Sequence, residues 1–223
     1  MSERKIEFTS RNILFYVSGF FFIGLGVNLL LRAELGAGAW DTVNYNFNAI
    51  FPELTLGMCS LFFALIIWSI VMLYRRKPKF FLVLIPSLLV SLSIDFWDII
   101  ILNDIMPSSL EEQFVWFFLG MILLPICLSL VISSNFPAGV FDELMIMLQE
   151  IFKTKGVGAV RIGIEFFAVA LAIVFWLIAD IEMDPNDISG SDIGLGAISY
   201  GTFIVAITIG PSIQIFLKVL EKK

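Results

Sequence analysis

Ionisable and amide side chains set within long apolar runs are the residues of this chain that could do chemistry. Ser87, Ser91, Asp95 and Asp98 follow one another at helical spacing and share one face. Arg161 and Glu165 are four apart, which predicts an intrahelical ion pair. Asp41, Asn44 and Asn48 make a polar stripe beside Trp40, Val43, Phe47 and Ile50. Asp142 and Gln149 do the same beside Phe141, Leu144, Leu148 and Ile151. Asn28, Arg32 and Gln214 complete the polar set. A charge at the centre of a bilayer costs about 3 kcal/mol or more unless paired or hydrated, so each such group is a candidate for binding a polar solute or relaying a proton.

Other chemistry is excluded. The chain has no histidine, which removes Ser-His-Asp and Cys-His catalysis, HExxH zinc sites and histidine-ligated haem. Cys59 and Cys127 each lie alone in an apolar run, leaving no disulfide framework or CxxC metal site. No Walker A sequence is present for ATP hydrolysis. The acidic segment from Asp184 to Asp192 lacks EF-hand spacing. The expectation is a protein that is not an enzyme and holds no cofactor.

The elements carrying these residues follow from composition. Of 223 residues 59% are hydrophobic and 15% charged, with a mean hydropathy of +0.95, against about 45–50% and about 25% in soluble domains. The net charge of −6 argues against nucleic acid as a partner. Six stretches are long enough to cross a bilayer: Ile13–Leu31, Leu56–Tyr74, Phe80–Leu102, Phe114–Ile132, Val160–Ala179 and Leu195–Leu217. Thirteen of the fourteen Lys and Arg fall at the termini or in the second and fourth connections, and only Arg32 lies on the other side. Both termini are therefore expected in the cytoplasm, in a multi-pass membrane protein.

Shifting the chain by 101 residues aligns Gly19 with Gly120, Leu29 with Leu130 and Ala37-Gly38 with Ala138-Gly139. Asp41 then meets Asp142, Ile50-Phe51 meets Ile151-Phe152 and Gly57 meets Gly158. The chain reads as a single membrane domain, 1–223, holding repeat one (12–102) and repeat two (113–218). Three spans per repeat is an odd number, so the second repeat enters the membrane from the opposite face, and a ligand site is expected between the halves. The fold class is all-α: six transmembrane helices as two inverted three-helix repeats, each with a short amphipathic or re-entrant helix after its first span.

The short helices lie within 36–51 and 137–152, about 14 residues each and too short to cross. On one reading they lie at the interface, with Asp41 and Asp142 stabilising their own helix starts. On the other they re-enter the membrane from opposite faces and present polar groups to a cavity. Asp95 aligns, at an offset of 115, with Gly210 and so breaks the symmetry, as a coupling acid would. Pro211 is expected to kink the last span and free a carbonyl for a ligand or Thr208.

The run Gly24-Leu-Gly26-Val-Asn-Leu-Leu-Leu-Arg32-Ala-Glu-Leu-Gly36-Ala-Gly-Ala-Trp40-Asp41 resembles the YczE-like branch of the YczE/YyaS/YitT family of bacterial integral membrane proteins. So does the series Gly139, Asp142, Leu144-Met145, Arg161 with Glu165, Ile193-Gly-Leu-Gly196 and Ile209-Gly-Pro-Ser-Ile-Gln214. The family tends to carry Pro immediately before the Trp-Asp pair, where this chain has Ala39. The resemblance implies a multi-pass plasma-membrane protein of the permease kind, with no substrate or reaction attached.

The function expected is a secondary transporter or permease for a small solute. Its candidate solute-binding residues are Asn28, Arg32, Asp41, Asn44, Asp95, Asp142, Arg161, Glu165 and Gln214. The alternatives are a membrane-embedded sensor or scaffold that moves nothing, and the substrate-binding subunit of an energised uptake complex. Expected partners are the lipid bilayer, a small solute with its coupling ion, and a second copy of the chain.

Overall fold

A computed structural model describes residues 9–134, 136–137, 139–153, 157–182 and 198–221. The acidic segment from Asp184 to Asp192 lies outside them. The described residues form α1 (Ser10–Arg32), α2 (Ala39–Ile50), α3 (Leu56–Arg75), α4 (Leu84–Asp95), α5 (Leu110–Ser133), α6 (Val140–Phe152), α7 (Val157–Glu182) and α8 (Tyr200–Glu221). The third span is a composite: a 3-10 stretch, Pro78–Val83, leads into α4, and a π-helical turn, Phe96–Ile101, continues it. Six of these units are long and apolar enough to cross a membrane, at the six places the hydropathy marks. The chain is an all-helical, multi-pass membrane protein.

Local sequence sets the helix ends. Thr55 and Ser109 cap α3 and α5, accepting from the Met58 and Glu112 N–H groups. After α1 the chain reverses through Glu34 and Gly36, both at positive φ. A side chain on Gly36 would collide with the backbone of Gly201 and Thr202, where Leu35 accepts from the Gly201 N–H.

The core is built around α1, which packs most extensively on α5 and then on α4; α8 covers α5, and α3 pairs with α4. Over the most apolar stretch of α1, 56% of residues are buried, against 11% for α8. The α1–α5 approach depends on small residues. A Cβ on Gly19 would lie 2.6 Å from Val131 and 3.0 Å from the Cys127 carbonyl. One on Gly120 would lie 2.8 Å from Leu30 and 3.0 Å from the Gly26 carbonyl. Each residue of the first set stands 101 positions from its counterpart in the second, so the two helices exchange roles across their antiparallel crossing.

The same exchange appears in buried polar bonds. Asn28 donates to the carbonyls of Gly24, in its own helix, and Ile94, in α4. Ser129, 101 residues on, reaches the carbonyls of Pro125, in its own helix, and Ile213, in α8. These bonds set a register in which Asp95 corresponds to Gln214. By these bonds the counterpart of Asp95 is corrected from Gly210 to Gln214, one helical turn further on.

Substituting Gly19→Ala or Gly120→Ala should destabilise the protein by about 1–3 kcal/mol, the usual cost of overpacking. Gly163→Ala, where nothing lies within 4 Å of the new methyl, should not. Thermal unfolding in detergent checks the contrast.

Candidate functional site

The position of α2 and α6 along α3 decides what their acids can do. Phe47 of α2 stacks on Phe62 and meets Phe63. Trp40, at the start of α2, shares an apolar cluster with Ile67 and Val71, and so do Val140 and Met147 of α6. At the far end Glu150 pairs with Arg75 at 2.7 Å. Read down α3, the contacts run from the end of α2 to its start, then from the start of α6 to its end. The two short helices therefore lie head to head, and Trp40 meets Phe141 with ring centroids 4.6 Å apart. From Phe63 to Arg75 is twelve residues, ~18 Å at ~1.5 Å per residue, so the tips meet well inside the bundle.

α2 runs alongside α7. Ala39 and Val43 pack with Ala168 and Ala172, Asn46 donates to the Ala172 carbonyl, and Phe47 meets Phe175. The alanines permit this closeness. Beneath the start of α2, the Glu165 carboxylate is near enough to Asp41 for their charges to interact, and Arg161 acts electrostatically on both Glu165 and Asp142. Four ionisable groups from three helices converge on the paired tips. Asp41 and Glu165 are half-buried, while Asp142 and Arg161 are exposed.

Each acid also serves its own helix. Asp142 Oδ2 accepts from the Gly139 N–H at 3.3 Å, and Asp41 folds its carboxylate back over Gly38. A negative group in the first turn offsets the positive end of a helix by about 0.3–1 kcal/mol. Capping leaves part of each carboxylate free to interact elsewhere, because the helix start claims only one side of it.

The intrahelical ion pair predicted for Arg161 and Glu165 is corrected. The two interact at longer range, and the ion pairs within 4 Å among the described residues are Arg32–Asp98 and Arg75–Glu150. Helical spacing brings the stems onto one face, but the neighbouring carboxylates of Asp41 and Asp142 share the field of these groups.

Three sequence candidates are fastened to other parts of the fold. Asn28 is 1% exposed and its amide is committed to Gly24 and Ile94. Arg32 pairs with Asp98 at 2.7 Å and donates to the carbonyls of Asp98, Leu102 and Ile105. It thus satisfies backbone oxygens that the π-helical turn leaves at its end. Asp95 accepts from the Thr55 hydroxyl at 2.6 Å and from the Gly57 N–H at 2.7 Å, while Ser91 donates to the Gly57 carbonyl. Asp95 is the clasp that holds the start of α3 against α4. Gln214, its counterpart, is exposed on α8, and α7 makes at most marginal contact with α8. Thr208 donates to Ile204 rather than to the carbonyl that Pro211 frees.

Asn44 is 5% exposed, and its Oδ1 has no hydrogen-bond partner among the described residues. Tyr45 was missed from sequence. It is 44% exposed, stands four residues from Asp41, and faces the charges of Glu34, Asp98 and Arg32. Its signal was helical spacing from Asp41. Thr55 was also missed, though a Thr just before an apolar run is an N-cap signature. Beside the charged tips an apolar groove of about 710 Å³ is lined from α2, α3, α6 and α7.

A family model described as a family of unknown function, DUF6198, matches residues 10–218. The chain belongs to the DUF6198 family. It is similar to the uncharacterized membrane protein YczE of Bacillus subtilis (strain 168), at 29% identity over 203 residues. That alignment covers 88% of this chain and 80% of the relative. No solved structure matches. In this DUF6198 member, no group of three or more acids or cysteines is placed to hold a metal ion among the described residues.

Asp95→Ala should cost about 2–3 kcal/mol, because it strands the Gly57 N–H and the Thr55 hydroxyl. Gln214→Ala should stay within about 0.5 kcal/mol, as surface changes do. An unchanged melting temperature for Asp95→Ala would mean that the clasp is not needed for stability.

Proposed function

We propose that this DUF6198 protein is a secondary transporter or permease for a small polar solute, built as two inverted three-helix repeats with its site where the short helices meet. The observation that carries the reading is the convergence of Asp41, Asp142, Arg161 and Glu165 on two opposed helix starts. Further support for the repeat comes from Gly19 and Gly120, which exchange neighbours, and from Trp40 and Phe141, 101 residues apart yet in contact. The distribution of Lys and Arg favours both termini in the cytoplasm, in the plasma membrane. In this orientation α2 re-enters from outside and α6 from inside, and non-spanning backbone is tolerated there because protein surrounds it.

The mechanism follows from charge. The two helix starts present partial positive charge to the space between them, and the acids balance it. Asp41 and Glu165 repel each other, so a proton on either, or a cationic solute between them, relieves the repulsion. Arg161 completes the set by offering an anionic group a partner. Binding would thus be coupled to a proton or cation. The weak contact between α7 and α8, set against the Asp95 clasp between α3 and α4, leaves α8 less tied to its neighbouring span than α4 is, and a movement of α8 with α5 is the motion this packing favours.

A metabolite panel scored by thermal stabilisation of the purified protein identifies the solute. The solute should then accumulate in proteoliposomes under an imposed pH gradient. Asp41→Asn and Asp142→Asn should each lower uptake at least ten-fold while the protein still inserts and melts normally. Full uptake by both variants would remove the tip acids from the mechanism. A stabilising solute that is never accumulated would favour the sensor reading or an uptake-complex subunit.

A further inference from the structure

The groove beside the tips points to a ligand of a different class. Every side chain lining it is apolar, and Ile66 and Ile70 of α3 face Phe167 of α7 across it. These residues are 42%, 47% and 62% exposed, so the groove is open along its side to the surrounding hydrocarbon. Trp40 lines it where the short helices meet, and Phe152 and Val160 line it toward the far end of α6 and the start of α7. Between them Gly163 contributes no side chain, and a Cβ there would meet nothing within 4 Å.

Length and charge specify the occupant. The α7 wall runs from Val160 to Leu171, eleven residues or ~16 Å at ~1.5 Å per residue. Half of a bilayer core is ~15 Å. The groove is therefore about one leaflet deep, with Trp40 on its wall where the short helices meet. Its mouth lies at the basic end of the bundle: exposed Lys153 follows Phe152 directly, and exposed Arg76 caps the end of α3. Near a headgroup plane such residues favour anionic lipids.

We propose that this groove is a binding slot for one acyl chain of an anionic phospholipid, drawn from the leaflet at the basic end, with its methyl end against Trp40 and its phosphate beside Lys153. The slot does not depend on the transport reading. A lipid held there would buttress the Trp40–Phe141 contact from the membrane side.

The test uses the full chain in nanodiscs containing phosphatidylglycerol or phosphatidylcholine brominated near the methyl end of the chain. The signal is the fluorescence lost on substituting Trp40→Phe, which isolates Trp40 from the other four tryptophans. Half-maximal quenching should need about five-fold less phosphatidylglycerol than phosphatidylcholine, the factor that ~1 kcal/mol per basic residue gives. Lys153→Gln should reduce that preference. Gly163→Phe should abolish most quenching by occupying the slot, and Leu144→Phe fills it from the opposite wall should the first variant melt early. Bromines near the carboxyl end should quench Trp40 much less. Equal quenching by the two lipids, in proportion to bulk mole fraction, would overturn the proposal, as would quenching that survives both filling variants in a folded protein.

Discussion

Where α1 crosses α5, there is no room for a side chain at Gly19 or Gly120, because backbone carbonyls and branched side chains of the facing helix occupy that space. Lipid gives helices no hydrophobic reason to associate, so close van der Waals packing has to hold them together. This crossing is where the two halves of the chain meet most extensively, and it brings α4 and α8 along through Asn28 and Ser129. The placement of the short helices depends on it in turn. The connections that lead into them both leave C-terminal ends, of α1 and of α5, so the antiparallel crossing makes them approach from opposite sides.

The short helices convert this arrangement into an electrostatic problem. Two helix starts directed at one another would leave unsatisfied N–H groups and like partial charges in a poorly hydrated region. An acid in the first turn of each helix answers both, by accepting from the N-cap glycine or lying over it. Glu165 and Arg161 then make the region more than self-compensating. They add one charge of each sign from a third helix, with no ion pair within 4 Å among the described residues to cancel them locally.

The halves differ in how firmly their third spans are attached. In the first, Asp95 takes two donors from the start of α3, and Arg32 gathers the carbonyls at the end of the same span. In the second, Gln214 is exposed and α7 stays largely clear of α8. A carboxylate that accepts from a backbone N–H and a hydroxyl is worth more as a fastening than a neutral amide on the surface. The acid that breaks the sequence symmetry is thus a structural device, and the asymmetry it creates is mechanical.

How much of this was legible in the residues alone can be judged from particular elements. Chain length in apolar runs fixed the six spans, since only a helix of about 20 residues can cross hydrocarbon with its backbone satisfied. The spacing of Trp40, Val43, Phe47 and Ile50 marked α2 as helical and amphipathic, and Asp41 and Asp142 stood out because acids are costly in such surroundings. Spacing could not say which acid is free and which is fastened. Asp95 and Arg32 look functional by composition, yet their partners, Thr55, Gly57 and the carbonyls near Leu102, come from other turns of the chain. Arg161 and Glu165 look paired, yet they answer to Asp41 and Asp142 as well. Local periodicity determines the face a side chain occupies; only the packing of distant helices decides what meets it there.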